Sequence, residues 1–251
     1  MNRFFVEPKQ VNESLREIAI TGEDVKHISK VLRLSRGDKI EICDGEKYQY
    51  IGEIKDLQKD MVLVEYLEQV KISTEAPIKV TLYQGVPKGS KMDLIIQKTT
   101  EMGIFSIVPV LTDRTVVQLE SKKDKEKKTE RWQKIALEAA KQSKRGIIPD
   151  IHEPLSFIEA LNHSKGNQMN ILAYEGERNI SLKSTLSGKP KVHSIGIWVG
   201  PEGGYTEAEV QRTAVDAFHI VTLGPRILRT ETAGFALLSM IMYQLGDLGG
   251  L

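Results

Sequence analysis

Cysteine is almost absent from this chain of 251 residues: Cys43 is the only one. A lone thiol cannot close an intrachain disulfide, so the fold must rest on its core. The missing cysteine pattern points to a reducing compartment. The five histidines, at 27, 152, 163, 193 and 219, are scattered without ligand spacing. A metal-free site is therefore expected. The opening "MNRFFVEPKQ" lacks the apolar core, roughly 7–15 residues long, of a secretory signal. The longest apolar run, 233–245, is short for a membrane span and is interrupted by Ser239 and Gln244. A soluble cytoplasmic protein is expected. Charge excess is missing too. The 35 basic and 34 acidic residues leave a net +1, which carries no global nucleic-acid signature.

Two nucleotide-binding signatures are also absent. No GxGxxG follows a strand, and no GK[ST] occurs; "PKGSK" at 87–91 lacks the phosphate-loop spacing. An α/β dinucleotide oxidoreductase is disfavoured on that ground.

The length suffices for one large domain or two ordinary ones. Such a chain buries roughly 70–75% of its unfolded surface. Residues 1–72 read as a small β-barrel domain. "KIEICDG", "YQYIGEIKDL" and "MVLVEYLEQV" are short strands divided by Asp-Gly and polar breaks, and a short helix over "EDVKHISKVLRL" precedes them. "KISTEAP" reads as a linker. From 73 to 251 the rhythm alternates. Strands are expected at "IKVTLYQG", "IFSIVPVL", "NILAYE", "HSIGIWVG" and "HIVTLG". Helices are expected at "SKMDLIIQKTTEMG", "ERWQKIALEAAKQSKR", "LSFIEAL", "TEAEVQRTAVDAF" and the C-terminal apolar run. Alternation of this kind predicts an α/β domain on a mainly parallel sheet.

Charge is uneven along the chain. From 114 to 145 there are 11 Lys/Arg against 5 Asp/Glu, a local +6. Such a stretch can neutralise phosphates. It reads equally as a solvated lysine-rich linker, "ESKKDKEKKTER", entering a helix.

Three strand ends carry unusual chemistry. They are "LAYEGER", "WVGPEGGYTEAE" and "LGPRILRTETA". Open α/β sheets bind ligands outside the carboxyl ends of their strands. In the second loop, Thr206 followed by Glu209 forms a capping box that fixes a helix start. In the third, Arg229, Thr230 and Glu231 stand at the mouth of the last helix. Glu231 suits a first-turn acid and Thr230 a helix cap. Arg229 opposes the helix dipole, so its place there calls for another reason. A guanidinium is a permanent cation with a planar donor fork, suited to a phosphate or a pyrimidine oxygen and unsuited to general-base work.

"VGPEGGYTEAE" followed by "LGPRILRTETA" resembles the SPOUT RNA methyltransferases, most closely the RsmE group, which makes N3-methyluridine in 16S ribosomal RNA. "HISKVLRLSRGD" resembles that group's PUA-like N-terminal domain, and "KGSKMDLIIQKTTEMG" the first helix of its catalytic domain. The resemblance implies a C-terminal trefoil knot and S-adenosylmethionine bound between the knot loops, converted to S-adenosylhomocysteine. It also implies a homodimer acting on the small ribosomal subunit. By the same analogy the cofactor is expected against Leu172, Tyr174, Gly200, Gly203, Leu223, Gly224, Ile227 and Leu228. Arg229, Glu202, Glu231 and Thr230 are the candidate catalytic residues, with water, Glu202 or Glu231 taking the uracil N3 proton. Arg33, Arg36 and Lys39 are candidate phosphate contacts. The last helix offers Phe235, Leu238, Ile241, Met242 and Leu245, more apolar surface than one stripe needs, as a dimer face. The alternatives are a SPOUT ribose 2′-O-methyltransferase and a catalytically silent RNA-binding assembly factor.

Overall fold

The computed structural model describes residues 1–117, 119, 121–187, 192–214 and 218–250. The chain divides into two compact units, Met1–Glu75 with Ala140–Ile148, and Ala76–Ala139 with Pro149–Leu251.

The first unit holds β1 (Arg3–Phe5), β2 (Val11–Asn12), β3 (Glu17–Thr21), α1 (Glu23–Lys26), a π-helical turn (His27–Val31), β4 (Lys39–Cys43), β5 (Tyr48–Leu57) and β6 (Met61–Lys71). They form one sheet in the order β1-β4-β5-β6-β3-β2, with β1 parallel to β4 and the other pairs antiparallel. Alternation sets which side faces inward: Ile40 and Ile42 on β4 and Val62 and Val64 on β6 are buried. They close over Phe4, Ile18, Ile20, Val25 and Ile28 as one core. Asp44 fixes the β4–β5 turn by accepting the amides of Glu46, Lys47 and Tyr48 at 2.9, 2.8 and 2.9 Å. Cys43 is buried, and burial pushes its thiol up to about 11, which makes it a poor nucleophile.

The segment 140–148 joins this unit through ion pairs and main-chain bonds. Lys141 pairs with Asp24 at 2.9 Å and Lys144 with Glu41 at 3.0 Å, while Arg145 pairs with Glu75. The buried Arg3 donates to the Arg145 carbonyl at 2.8 Å and to Gln49 at 2.8 Å. Three cations of the basic stretch are thus committed to internal partners.

The second unit begins with β7 (Lys79–Gly85), α2 (Lys91–Glu101), β8 (Ser106–Leu111) and α3 (Lys122–Gln142). Then come β9 (Asp150–Ile151), β10 (Leu155–Ser156), α4 (Phe157–Ser164), β11 (Met169–Ala173), α5 (Leu182–Leu186) and β12 (Ser194–Val199). It ends with α6 (Glu207–Ala214), β13 (His219–Val221) and α7 (Thr230–Leu245). The sheet runs β10-β8-β7-β12-β11-β13, with β9 beside β8, and its pairs are all parallel. The expected α/β reading therefore holds. The lysine run differs from expectation. It is the first part of α3, because Ser121 caps the helix by accepting the Asp124 amide at 3.0 Å. Residues 215–217 of the expected helix "TEAEVQRTAVDAF" lie outside the described residues.

Of the five residues expected as a dimer face on the last helix, Phe235 and Leu245 are half-buried and the other three need correction. Leu238, Ile241 and Met242 are fully buried inside the unit, where α7 packs on α2. They cannot supply a free face. The apolar side chains that α7 leaves exposed are Met240 and Tyr243.

Candidate active site

Strand register brings three loops to one place. Leu172 of β11 lies opposite Trp198 of β12, and Ala173 opposite Val221 of β13. Val199 lies opposite Gln84 of β7. The four strands therefore end at one level, with β12, β11 and β13 side by side. Just before the ends of β7 and β12, Tyr83 and Trp198 stack at 4.3 Å in the core of the unit. The segments leaving β11, β12 and β13 enclose a cavity of about 1080 Å³.

Of the eight residues expected at a cofactor, Tyr174, Gly200, Leu223, Gly224, Ile227 and Leu228 line this cavity. Leu172 and Gly203 are not in its wall. Leu172 is packed in the core with Tyr83 and Trp198. Gly203 turns toward Arg114, whose Nη1 donates to its carbonyl at 2.7 Å. Glu202, Arg229 and Thr230 are wall residues, and Glu231 is not. Arg33, Arg36 and Lys39 belong to the first unit, exposed at and after the π-helical turn. Arg33 sits there in the left-handed region, at φ 53°.

The loops are tied to one another. Thr230 Oγ1 donates to the Gly200 carbonyl at 2.6 Å and accepts from Gln84 Nε2 at 2.9 Å. The hydroxyl thus joins the second and third loops, and the cap position of α7 is taken by Arg229. The second loop ends in the expected capping box: Thr206 N to Glu209 Oε2 is 2.8 Å and Glu209 N to Thr206 Oγ1 is 3.2 Å. Gly85, at the end of β7, has Pro201 pressed against it. A Cβ there would stand 2.4 Å from Pro201 Cδ, so only glycine fits. Gly224 takes φ 118°, a conformation that side chains disfavour, and its amide donates to Thr222 Oγ1 at 3.2 Å.

Sequence reading passed over Gln84, Gly85 and Arg114. A fully buried glutamine inside an apolar strand was the available signal for the first. A strand-terminal glycine was the signal for the second. Arg114 gave none, since it stood in a basic run.

The wall carries four cations, Lys91, Arg178, Arg226 and Arg229, and three carboxylates, Glu175, Glu177 and Glu202. Glu202 is engaged. Its Oε1 accepts from Lys91 Nζ at 2.6 Å and from the Lys88 amide at 3.1 Å. Burial pushes the Glu202 carboxyl up, but the Lys91 bond, backbone amides and the Lys91 charge outweigh it and hold it below 4.5. Arg229 is exposed and forms no ion pair or hydrogen bond through its side chain among the described residues. Glu231 Oε2 is buried in the first turn of α7 and has no hydrogen-bond partner among the described residues.

Residues 74–242 match the family described as RNA methyltransferase domain, and residues 20–65 match the RNA methyltransferase PUA domain. The ribosomal RNA small subunit methyltransferase E of Bacillus subtilis is 42% identical over 250 residues, 97% of each chain. The ribosomal RNA small subunit methyltransferase E of Neisseria gonorrhoeae, solved bound to S-adenosyl methionine, superimposes with a TM-score of 0.84 at 31% identity, covering 99% of each chain. A Legionella pneumophila methyltransferase structure with bound SAM superimposes with a TM-score of 0.87 at 26% identity, covering 98% of each chain. A parallel sheet whose three loops close one cavity, joined to a PUA-type unit and matched from end to end by these relatives, places the chain in the ribosomal RNA small subunit methyltransferase E family.

Proposed function

We propose that this protein methylates N3 of a uridine in the 16S RNA of the small ribosomal subunit, using S-adenosylmethionine and no metal. The observation that carries the reading is the cavity shared by the ends of β11, β12 and β13, where Thr230 ties the third loop to Gly200 of the second.

The wall suits the cofactor. Its three loops present main chain at Gly200, Gly204 and Gly224, beside the apolar side chains of Tyr174, Leu223 and Leu228. Ile227 stands 83% exposed at its edge, an apolar surface that a bound adenosyl group would cover. Glu175, also in the wall, supplies an acceptor for hydroxyl or ammonium groups. Leu172 and Gly203 support the wall from behind. When bound, S-adenosylmethionine supplies an electrophilic methyl group and leaves as S-adenosylhomocysteine.

The protein's own task is the uracil. N3 of the neutral ring is a weak nucleophile and must lose its proton. Arg229, an unpaired cation in the wall, stabilises the charge that then develops on the ring oxygens. Glu202 is committed to Lys91 and held below the usual carboxylate range, so it is a poor proton acceptor and acts instead to anchor its loop. Glu231 stands outside the wall. The N3 proton therefore goes to water at the cavity mouth. Arg33, Arg36 and Lys39 of the PUA-type unit serve as phosphate contacts. The sheet order supports the knotted reading: β13 lies at the β11 edge, yet α7 returns to pack on α2, β12 and β7. A homodimer on this unit, using the Met240 and Tyr243 face of α7, completes the proposal.

The test is nucleoside mass spectrometry of ribosomal RNA from a deletion strain. N3-methyluridine should vanish and return with the gene. Loss of a ribose-methylated nucleoside instead would move the assignment to 2′-O chemistry. Calorimetry should show S-adenosylmethionine binding unchanged by a chelator; absence of binding in both conditions would leave a silent RNA-binding protein.

A further inference from the structure

Two cations of the cavity wall have no part in the chemistry above. Arg178 follows β11 and Arg226 follows β13, and both are exposed. Neither guanidinium forms an ion pair or a hydrogen bond among the described residues. Some exposed cations elsewhere do find a carboxylate, as Arg131 does with Asp93 and Lys55 with Glu17.

The main chain that carries them is pinned. Glu177 Oε1 accepts the amides of Asn179 and Ile180 at 2.6 and 3.0 Å, which spans the turn at Arg178. Those bonds hold the Glu177 carboxyl below its ordinary range, so it stays ionised and committed to the turn. The Ile180 carbonyl then accepts the Thr222 amide at 2.8 Å. Thr222 in turn accepts from the Gly224 amide at 3.2 Å, two residues before Arg226. One run of hydrogen bonds therefore connects the turn of Arg178 to the turn of Arg226. Of the wall carboxylates, Glu202 is neutralised by Lys91, while Glu177 keeps its charge but holds its Oε1 on backbone amides and pairs with no cation among the described residues. Glu175 and Glu177 are left against three guanidiniums, so the wall keeps an excess of positive charge.

We infer that Arg178 and Arg226 are positioning residues that grip RNA phosphates flanking the target nucleotide, while Arg229 faces its base. This rests on the methyltransferase reading and divides the arginines by task. A phosphate contact needs only a cation, so Lys should substitute. A base or ring-oxygen contact needs the planar fork, so Lys should not.

The experiment measures binding of a short uridine-containing single-stranded RNA to the full-length protein across a salt series. It uses wild type, Arg178→Ala, Arg226→Ala and the two Lys variants, with circular dichroism to verify folding. Each phosphate contact on single-stranded RNA contributes about 0.7 to the slope of log K against log salt. Each Ala variant should lose about that much slope, and each Lys variant should regain it. S-adenosylmethionine affinity, read by calorimetry, should not move in any of them. An unchanged slope in the folded Ala variants overturns the inference. Weaker cofactor binding in the same variants also overturns it, since the arginines would then hold the cofactor carboxylate. Failure of Lys to restore the slope would assign the residue to a base edge. Methyl transfer by wild type to small subunits from the deletion strain runs alongside. Loss of that transfer refutes the enzyme reading, whereas the salt slopes judge the phosphate grip by itself.

Discussion

The hydroxyl of Thr230 offers the sharpest test of how the two glycine loops are held. It donates to the Gly200 carbonyl at 2.6 Å and accepts from Gln84 Nε2 at 2.9 Å, with Thr230 6% exposed and Gln84 fully buried. Thr230→Val keeps the shape and removes both bonds. Gln84 Nε2 retains the Gly85 carbonyl at 3.0 Å, so its loss is one ordinary hydrogen bond of about 1 kcal/mol. The Gly200 carbonyl loses the partner that the third loop provides, which costs about 1–3 kcal/mol. The sum is about 2–4 kcal/mol. Thr230→Ser keeps the hydroxyl and gives up one methyl, about 0.8 kcal/mol. The protein's two tryptophans, Trp132 and Trp198, both lie in the second unit, so their fluorescence in urea follows that unit alone. Cofactor affinity should fall together with stability in Thr230→Val, about tenfold for each 1.4 kcal/mol of loop ordering lost. A Thr230→Val protein within about 0.5 kcal/mol of wild type, binding S-adenosylmethionine normally, would refute the claim that this hydroxyl joins the loops.

Arg229→Ala should lose about 10²–10³ in methyl-transfer rate while keeping cofactor affinity, and Arg229→Lys should recover only part of it; wild-type turnover in tritiated methyl transfer would make the arginine structural. Glu231→Gln should lose less than about tenfold, because the proton goes to water. A loss of 10² or more, the scale of a missing general base, would place the proton on Glu231. The Glu202 carboxyl is held below 4.5 in the folded protein. The stability it contributes is therefore present above the unfolded value and lost as pH falls through the folded one. Glu202→Gln should be less stable than wild type at neutral pH, and the two should converge in acid; a constant gap from pH 7 to 3 would contradict the linkage. A Gly85→Ala protein should bind cofactor poorly, since the new Cβ meets Pro201; calorimetry on the folded variant decides it.

The α/β half of the fold was legible because its elements are long and their signals local. The glycine stop after α2 is one case: Gly103 takes φ 87° and its amide bonds the Thr100 carbonyl. The capping box at Thr206 is another. The strands that escaped notice depend on distant partners, among them the five-residue β3 on β6, and the others are short. β1 has three residues and pairs with β4, so no alternation could mark it. The same holds for β9 and β10, two residues each on the β8 edge. The attachment of 140–148 to the first unit was illegible for a related reason. It rests on Arg3, Glu75 and Asp24, which lie far away along the chain.

For the site, sequence located the loops and missed what fastens them. Thr230 read as a helix cap because its local context, polar residues before an apolar run, is that of a cap. Its actual partners are 146 and 30 residues away, and no local pattern encodes either distance. At Arg229 the same local reading singled out a residue that lies in the cavity wall. A cation at a helix N-terminus is a local cost, visible without any partner. The structure adds that the cost is uncompensated: Arg229 takes the cap position, gives no side-chain cap and faces the cavity. A residue that violates a local rule and finds no internal compensation marks a place where a functional or strained site is expected. On the methyltransferase reading proposed above, the group that answers Arg229 is the electron-rich edge of a uracil losing its proton.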